Sequence, residues 1–577
     1  MNARRILLPI LLATACTALN AGKAPLIDDT AYLTLTRHIA KHPLDPYGFE
    51  QFWYQHPEPA NHILAPPVQP YWLALGMRVL GDRPVAWKMW LFPEMLLLAF
   101  SLQALFRRFA RGAEAPLLVA TFLSPALLPA WNFMLDLPAL ALSTTALVLF
   151  LRALEQKSVL RAILAGAAAG LATQTKYTGL LILPLFVGAA AFAPIPKHRA
   201  APSLLFRVML TVLGCAIAGL MFAGWEALVE RKYGESHFLV ALGTSEGTWK
   251  EKLLAYLGKW RLLLWMLILS GGLLPPAAIL GFVGFWKERR WLLLVPVTIL
   301  LGAYVALILI PIRESIWIGQ TNQRPVASWI FGSLGGLSIF VLFLVIARQV
   351  LRLSRFSPFT LAQWLSRLRW SRSLWFLLFW LLIETAGFLA MTPFPACRRL
   401  IGFTIVATLL AGRFLSRTCR TEYRKRIVWL AVIPGVILGV FYAGIDLADS
   451  WREPLAVREA SQFIRQRDPA ARIWFVGHWG FQFEAERQGM KPLNPDYTEL
   501  QPGDWLIVPN ADSVHQQIFQ PETPLGEPVA HVTRQRVFPL RTIPAYYGGH
   551  LPMERGPDPS IDVPIYRVSE KWVPRTE

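Results

Sequence analysis

The sequence predicts an α-helical polytopic membrane protein of about thirteen transmembrane helices with a small C-terminal extramembrane α/β domain. Three observations predict it. Of 577 residues, 54% are hydrophobic and only 16% charged. A water-soluble protein of this size needs roughly a quarter of its residues charged. Apolar runs near the roughly 20 residues that cross a bilayer recur from the N-terminus to position 444. Basic residues cluster in every second connection, as the positive-inside rule requires. The same composition excludes a disordered chain, which is poor in apolar residues. Four cysteines at this length exclude a disulfide scaffold, and Cys16, Cys215, Cys397 and Cys419 read as packing residues.

The apolar runs fall at 6–22, 87–105, 115–131, 137–153, 159–173, 178–194, 203–225, 261–286, 291–312, 326–347, 373–391, 400–416 and 427–444. The stretch 159–194 also fits a re-entrant hairpin. With Arg4 and Arg5 inside, the inner connections carry Arg107, Arg108 and Arg111, then Arg152, Lys157 and Arg161, and so on to Arg424, Lys425 and Arg426. The N-terminus is then cytoplasmic and the C-terminal domain extracytoplasmic, in an inner membrane. Cleavage as a signal peptide is the competing reading of the first span. The formal charge of +20 is concentrated in these inner loops, so it labels topology and implies a lipid bilayer as partner, with no nucleic acid.

The composition changes after residue 444. Residues 445–577 hold 14 Lys+Arg against 18 Asp+Glu, many prolines and no spanning run. Val457 to Gln466 reads as an amphipathic helix, and 472–477 and 504–509 as buried strands. The chain therefore divides into a transmembrane domain, 1–444, and an extracytoplasmic α/β domain, 445–577. His478, Trp479 and Glu484 follow the first of these strands, where they contact an acceptor or simply pack.

Polar chemistry concentrates in the first external loop, 23–86, rather than inside the spans, where Glu94 and Glu384 are the main charges. Asp28 and Asp29 open the loop, followed by an amphipathic helix over 31–41 at the interface. One aspartate suffices as a helix cap. Two adjacent carboxylates also suit a proton acceptor beside a group that holds a cation. His38 and His42 lie at i, i+4, a spacing that chelates a divalent ion or leaves two solvated imidazoles, and His56 and His62 share the loop.

Asp28-Asp29-Thr30-Ala31-Tyr32 resembles the Asp-(Asp/Glu)-x-x-Tyr motif of the GT-C superfamily of membrane glycosyltransferases, which includes the protein O-mannosyltransferases of glycosyltransferase family 39 and the aminoarabinose transferases. Further elements resemble the family's in order: Pro66-Pro67-Val-Gln-Pro-Tyr71-Trp72, Asp136-Leu-Pro138, Thr175-Lys176-Tyr-Thr-Gly179, and Cys397-Arg398-Arg399-Leu400 as a degenerate late element without its tyrosine. Ala65 stands where many members have Lys or His, with His62 three residues earlier. The resemblance covers 1–444, most strongly 1–200. It implies transfer of a sugar from a polyprenyl-phosphate donor to a lipid, glycan or protein acceptor on the extracytoplasmic side. It implies Asp28 as base, Asp29 as its orienting or metal-coordinating neighbour, and Lys176 and Arg399 as donor-phosphate cations, or as interfacial cations that merely snorkel. Tyr32, Tyr71 and Asp136 would orient substrate, or Asp136 would cap its helix. No cofactor is certain; a divalent metal cation is compatible, because some relatives use one and others do not. A transporter or flippase of lipid-linked sugar, and a non-catalytic polyprenyl-phosphate-binding envelope assembly factor, are the alternative functions.

Overall fold

The computed structural model describes residues 4–53, 56–63, 66–192, 202–241, 261–285, 326–354, 372–392, 394–418, 422–494, 497–510, 525–556 and 558–573, with isolated positions between 295 and 303. The expected span at 291–312 lies outside the described residues, as does Ala65. Among the described residues seven helices are long and apolar enough to cross a membrane, or eight if one bent pair is a single span.

The apolar runs become helices because a chain in hydrocarbon must satisfy its backbone groups internally. Helices Pro84–Phe109, Asp136–Gln156, Leu204–Tyr233, Ser328–Leu351, Arg372–Met391 and Cys397–Arg417 match expected spans closely. The last, Arg426–Arg467, runs on beyond the expected end at 444, so the helix itself carries the chain into the C-terminal region.

Three expected spans, 6–22, 159–173 and 178–194, form shorter apolar helices, Ile6–Ala21, Val159–Thr173 and Tyr177–Phe192. Two others differ at prolines. The run 115–131 is helical only over Glu114–Phe122, and the stretch after it is buried without being helical. Pro125 and Pro129 lack the N–H a continuing helix needs. The run 261–286 is two helices, Arg261–Leu273 and Pro275–Phe285, bent by 73° at Pro275-Pro276.

Glycines set the closest approach between helices. A Cβ at Gly335 would stand 1.8 Å from the Leu267 carbonyl oxygen, and one at Gly271 would stand 2.1 Å from that of Phe331. These glycines let the backbones of Arg261–Leu273 and Val326–Ser354 touch, the small-residue packing common between membrane helices.

The segment after the first helix folds as helix Asp29–Lys41, a hairpin of β1 (Glu50–Trp53) and β2 (His56–Pro59), and helix Val68–Leu80. The amphipathic helix expected at the interface is packed into protein: Ala31, Leu33, Leu35 and Ile39 are buried. In the C-terminal region β3 (Ile473–Phe475), β4 (Lys491–Pro492), β5 (Trp505–Ile507), β6 (Ala530–Arg534) and β9 (Ile561–Arg567) form a five-stranded sheet in the order β4-β3-β5-β9-β6. The first three are parallel and β9 pairs antiparallel to both β5 and β6. Helix Arg452–Arg467 buries Ala456, Val457, Ala460 and Ile464 on its core face. A short antiparallel pair, β7 (Leu540–Arg541) and β8 (Glu554–Arg555), flanks helix Ile543–Tyr547 and leaves the sheet to reach the membrane domain.

Candidate active site

Helix Asp29–Lys41 starts from a strained turn. Ile27 has φ 43°, a left-handed conformation that β-branched residues avoid at a cost of about 1–3 kcal/mol. The turn leaves the two adjacent aspartates in different surroundings. The Asp29 carboxylate is fully buried, and its Oδ2 accepts the Leu26 N–H at 3.0 Å. Its Oδ1 accepts no hydrogen bond among the described residues. Burial raises its pKa, against the nearby Lys88 ammonium. Asp28, by contrast, makes no capping hydrogen bond, although it stands at the cap position.

The Asp28 carboxylate instead faces Arg398, with Oδ2 3.5 Å from Nη1. The same nitrogen lies 4.0 Å from Asp136 Oδ2, and Asp136 Oδ1 accepts from Lys176 Nζ at 2.5 Å. Carboxylates and cations thus alternate in one line: Asp28, Arg398, Asp136, Lys176. Exposure varies along it, from 29% for the Asp28 side chain to 6% for Arg398. The most accessible member is therefore the aspartate, and the guanidinium is held from beneath. Lys176 sits in the turn between helix Val159–Thr173 and the 3-10 turn Tyr177–Leu181. Burial lowers its pKa to about 8, opposed by Asp136 and reinforced by Arg398 and Arg399. Tyr32 is half-buried beside this line, and burial followed by the Asp28 charge raises its pKa, so the phenol stays protonated.

A cleft enclosing about 870 Å³, open space at its mouth included, begins at this line. Asp136, Arg398 and Arg399 line its polar end; Leu140, Leu147, Leu185 and Phe388 line the rest. From Asp136 to Leu147 is eleven residues of helix, so the groove descends about 16 Å into the apolar region. Glu384 lines it too, accepting from Trp380 Nε1 at 2.9 Å. The arrangement has the form of a receptor for an amphiphile with an anionic head: cations at the top, hydrocarbon below.

Several expected residues come together here and others do not. Asp28, Asp136, Lys176 and Tyr32 converge. Arg399 lines the cleft, but its Nη1 donates to the Met391 carbonyl at 3.3 Å and its guanidinium lies 4.7 Å from the Phe394 ring centre. Its neighbour Arg398, which carried no expected role, lies between Asp28 and Asp136. Tyr71 is elsewhere: its hydroxyl donates to the Pro43 carbonyl at 2.6 Å, and its ring packs with Tyr47 and Leu35. His38 Nε2 contacts the Asp45 carbonyl at 2.7 Å and its ring stacks on Phe49, while His42 lies 5.0 Å away centre to centre. Among the described residues no group of three or more His, Cys, Asp or Glu side chains can hold a metal ion. His38 and His42 are thus joined by no third ligand of these types among the described residues.

Three residues near the site gave no sequence signal: Lys88, Asn132 and Tyr547. Lys88 is buried and donates to Asn132 Oδ1. Asn132 Nδ2 lies 3.4 Å from the Tyr547 hydroxyl, and the Tyr547 ring centre lies 5.4 Å from the Arg398 guanidinium. Lys23 and Asp446 form a second buried pair at 2.8 Å, beside Thr542, whose hydroxyl donates to Asp446. A lysine directly after an apolar span, and an aspartate at the end of another, were the only hints of that pair.

No protein-family model matches the sequence, and no characterised protein matches it by sequence. Solved structures match by fold. The archaeal oligosaccharyltransferase AglB from Archaeoglobus fulgidus, in complex with an inhibitory peptide and a dolichol-phosphate, superposes with a TM-score of 0.51 at 12% identity, over 88% of this chain and 69% of its own. The Archaeoglobus fulgidus oligosaccharyltransferase complex with Zn and sulfate gives 0.52 at 13% identity, over 87% and 67%. ArnT from Cupriavidus metallidurans bound to undecaprenyl phosphate matches over 88% of this chain and 94% of its own at 14% identity, with a TM-score of 0.38. The likeness to the archaeal oligosaccharyltransferase shows a shared fold, that of a polytopic membrane protein.

Proposed function

We propose that this chain is a membrane glycosyltransferase that moves a sugar from a polyprenyl-phosphate donor to a lipid, glycan or protein acceptor on the extracytoplasmic face. The observation that carries this reading is the cleft whose cationic head, Arg398 and Arg399 with Lys176 beside them, continues into an apolar groove. A phosphorylated isoprenoid has that shape and charge. The AglB structure holds a dolichol-phosphate, and an equivalent lipid phosphate is the ligand proposed here.

The chemistry follows from the line of charges. Asp28, the most exposed member, accepts the proton of the acceptor nucleophile as that atom bonds to the anomeric carbon. The bond from the anomeric carbon to the phosphate oxygen breaks, and the phosphate keeps the electron pair on its lipid. Arg398 and Lys176 take up the charge that develops there. Asp136, paired with both cations, fixes their geometry. Asp29 is assigned to holding the turn rather than to the reacting atoms, since its carboxylate is buried on the Leu26 amide. Tyr32 orients substrate beside Asp28.

Mass spectrometry of cell-envelope glycans and lipids, with and without the protein, identifies the sugar and acceptor through the residue that goes missing. With that donor, Asp28→Asn is expected to abolish transfer while undecaprenyl phosphate still binds within about threefold of wild type. Full transfer by this variant removes Asp28 as the base. Lipid translocation without transfer in the wild type replaces the enzyme reading by the flippase.

A further inference from the structure

Tyr547 lies 415 positions after Asn132, in the short helix that leaves the C-terminal sheet, and yet it touches both arms of the candidate site. Its ring faces the Arg398 guanidinium at 5.4 Å, within the range of a cation–π contact, which strengthens where water is excluded. Its hydroxyl meets Asn132, whose other end receives Lys88, the ammonium nearest the buried Asp29. Both contacts are buried, and Tyr547 is 5% exposed.

The tether that brings it there is also polar and buried. Thr542 donates to Asp446, the partner of Lys23, while Arg541 and His550 both contact Glu554. Pro552 packs against Gly272, and Pro395, just before Arg398, packs against Gly549. Arg398 needs such support. Its Nε makes no hydrogen bond among the described residues, and its only carboxylate contacts are loose, at 3.5 and 4.0 Å. Nη1 also donates to the Met134 sulfur at 3.5 Å, a weak acceptor, and the Tyr547 ring is the flat surface against which the guanidinium lies.

We propose that Tyr547 is a positioning residue supplied by the C-terminal region: it orients Arg398 toward the head group of the lipid phosphate, so that the transmembrane site is incomplete without the tail. This rests on the functional reading above and deepens it. The ring, rather than the hydroxyl, carries most of the effect, because it is the ring that faces the guanidinium.

Full-length protein is purified in nanodiscs and titrated with undecaprenyl phosphate. Tyr547→Leu is expected to weaken binding at least fivefold and Tyr547→Phe less than twofold. Combining Tyr547→Leu with Arg398→Gln should add less than twofold to Arg398→Gln alone, since Tyr547 acts through that arginine. Equal binding by wild type and Tyr547→Leu overturns the inference, as does an effect that multiplies with that of Arg398→Gln. Tyr547→Met repeats the test with a different apolar side chain. If neither the Leu nor the Met variant folds to a monodisperse protein, the residue is structural and the inference is overturned. Wild-type protein that binds no undecaprenyl phosphate overturns the functional reading itself, an outcome separate from all of these.

Discussion

Among the cations of the candidate site, Arg398 is the one whose removal should cost most. At 3.5 Å from Asp28, and with an effective dielectric of about 20, one such ion pair has a gross Coulomb energy of about 5 kcal/mol. A phosphate oxygen approaching the same guanidinium to a similar distance gains a similar amount. Desolvation and side-chain ordering offset part of this, and truncating one partner of a buried charge pair typically costs about 2–5 kcal/mol. A net loss of about 2–4 kcal/mol corresponds to a decrease of about 30- to 1,000-fold. Arg398→Gln should therefore lower the rate of sugar transfer by that factor. Arg398→Lys should recover only part, because an ammonium is a point charge that lacks the planar guanidinium lying against the Tyr547 ring. Arg399→Gln is the control. Its guanidinium is committed to Phe394 and the Met391 carbonyl, so its loss should cost less than tenfold. The assay is complementation of a strain lacking the protein, with the envelope glycan quantified by mass spectrometry at early times, followed by purified transfer kinetics. Arg398→Gln protein present at the wild-type level and transferring at the wild-type rate would refute the reasoning. So would a larger loss at Arg399 than at Arg398.

Three further outcomes are expected. The lowered pKa of Lys176, about 8, predicts that its charge is present below that pH and lost above it. Undecaprenyl phosphate binding should therefore weaken between about pH 7 and 9, with Asp136, Arg398 and Arg399 unchanged in charge over that range. Lys176→Arg should flatten the profile, and an unchanged slope in that variant removes Lys176 from the phosphate site. Lys23→Met strands the buried Asp446 carboxylate and should destabilise the protein by about 3–5 kcal/mol, seen as a lower melting temperature in detergent. Adding Asp446→Leu should recover most of that loss, and a double variant no better than the single one contradicts the pairing. Gly335→Ala pushes a methyl against the Leu267 carbonyl, so the two helices must separate, at a cost of about 1–3 kcal/mol. An unchanged melting temperature there would mean the helices lie farther apart than described.

Fold class and the segments that build the candidate site were legible in the sequence because both rest on local properties. An apolar run of about 20 residues has one stable form in a bilayer, and a basic cluster beside it has one favoured side. Asp28 follows the first apolar helix by a few residues, a placement that needs no tertiary information to read. Where the local reading failed, prolines inside apolar runs were responsible: Pro125, Pro129 and Pro275 shorten or bend what hydropathy alone reads as a straight span.

Which neighbour of a pair faces the site was decided only by tertiary structure. Asp28 and Asp29 are adjacent and chemically alike, yet the Ile27 turn puts one beside Arg398 and buries the other on the Leu26 amide. Arg398 and Arg399 are adjacent in the same way, and both line the cleft, but Arg398 is the one that faces Asp28 and Asp136. Its partners lie 370 positions away at Asp28 and in the C-terminal helix at Tyr547. Residue type and spacing carry the period of a helix and the sign of a charge, but not the direction of a side chain leaving a turn. That direction is set by what packs around it, and here the packing comes from the opposite end of the chain.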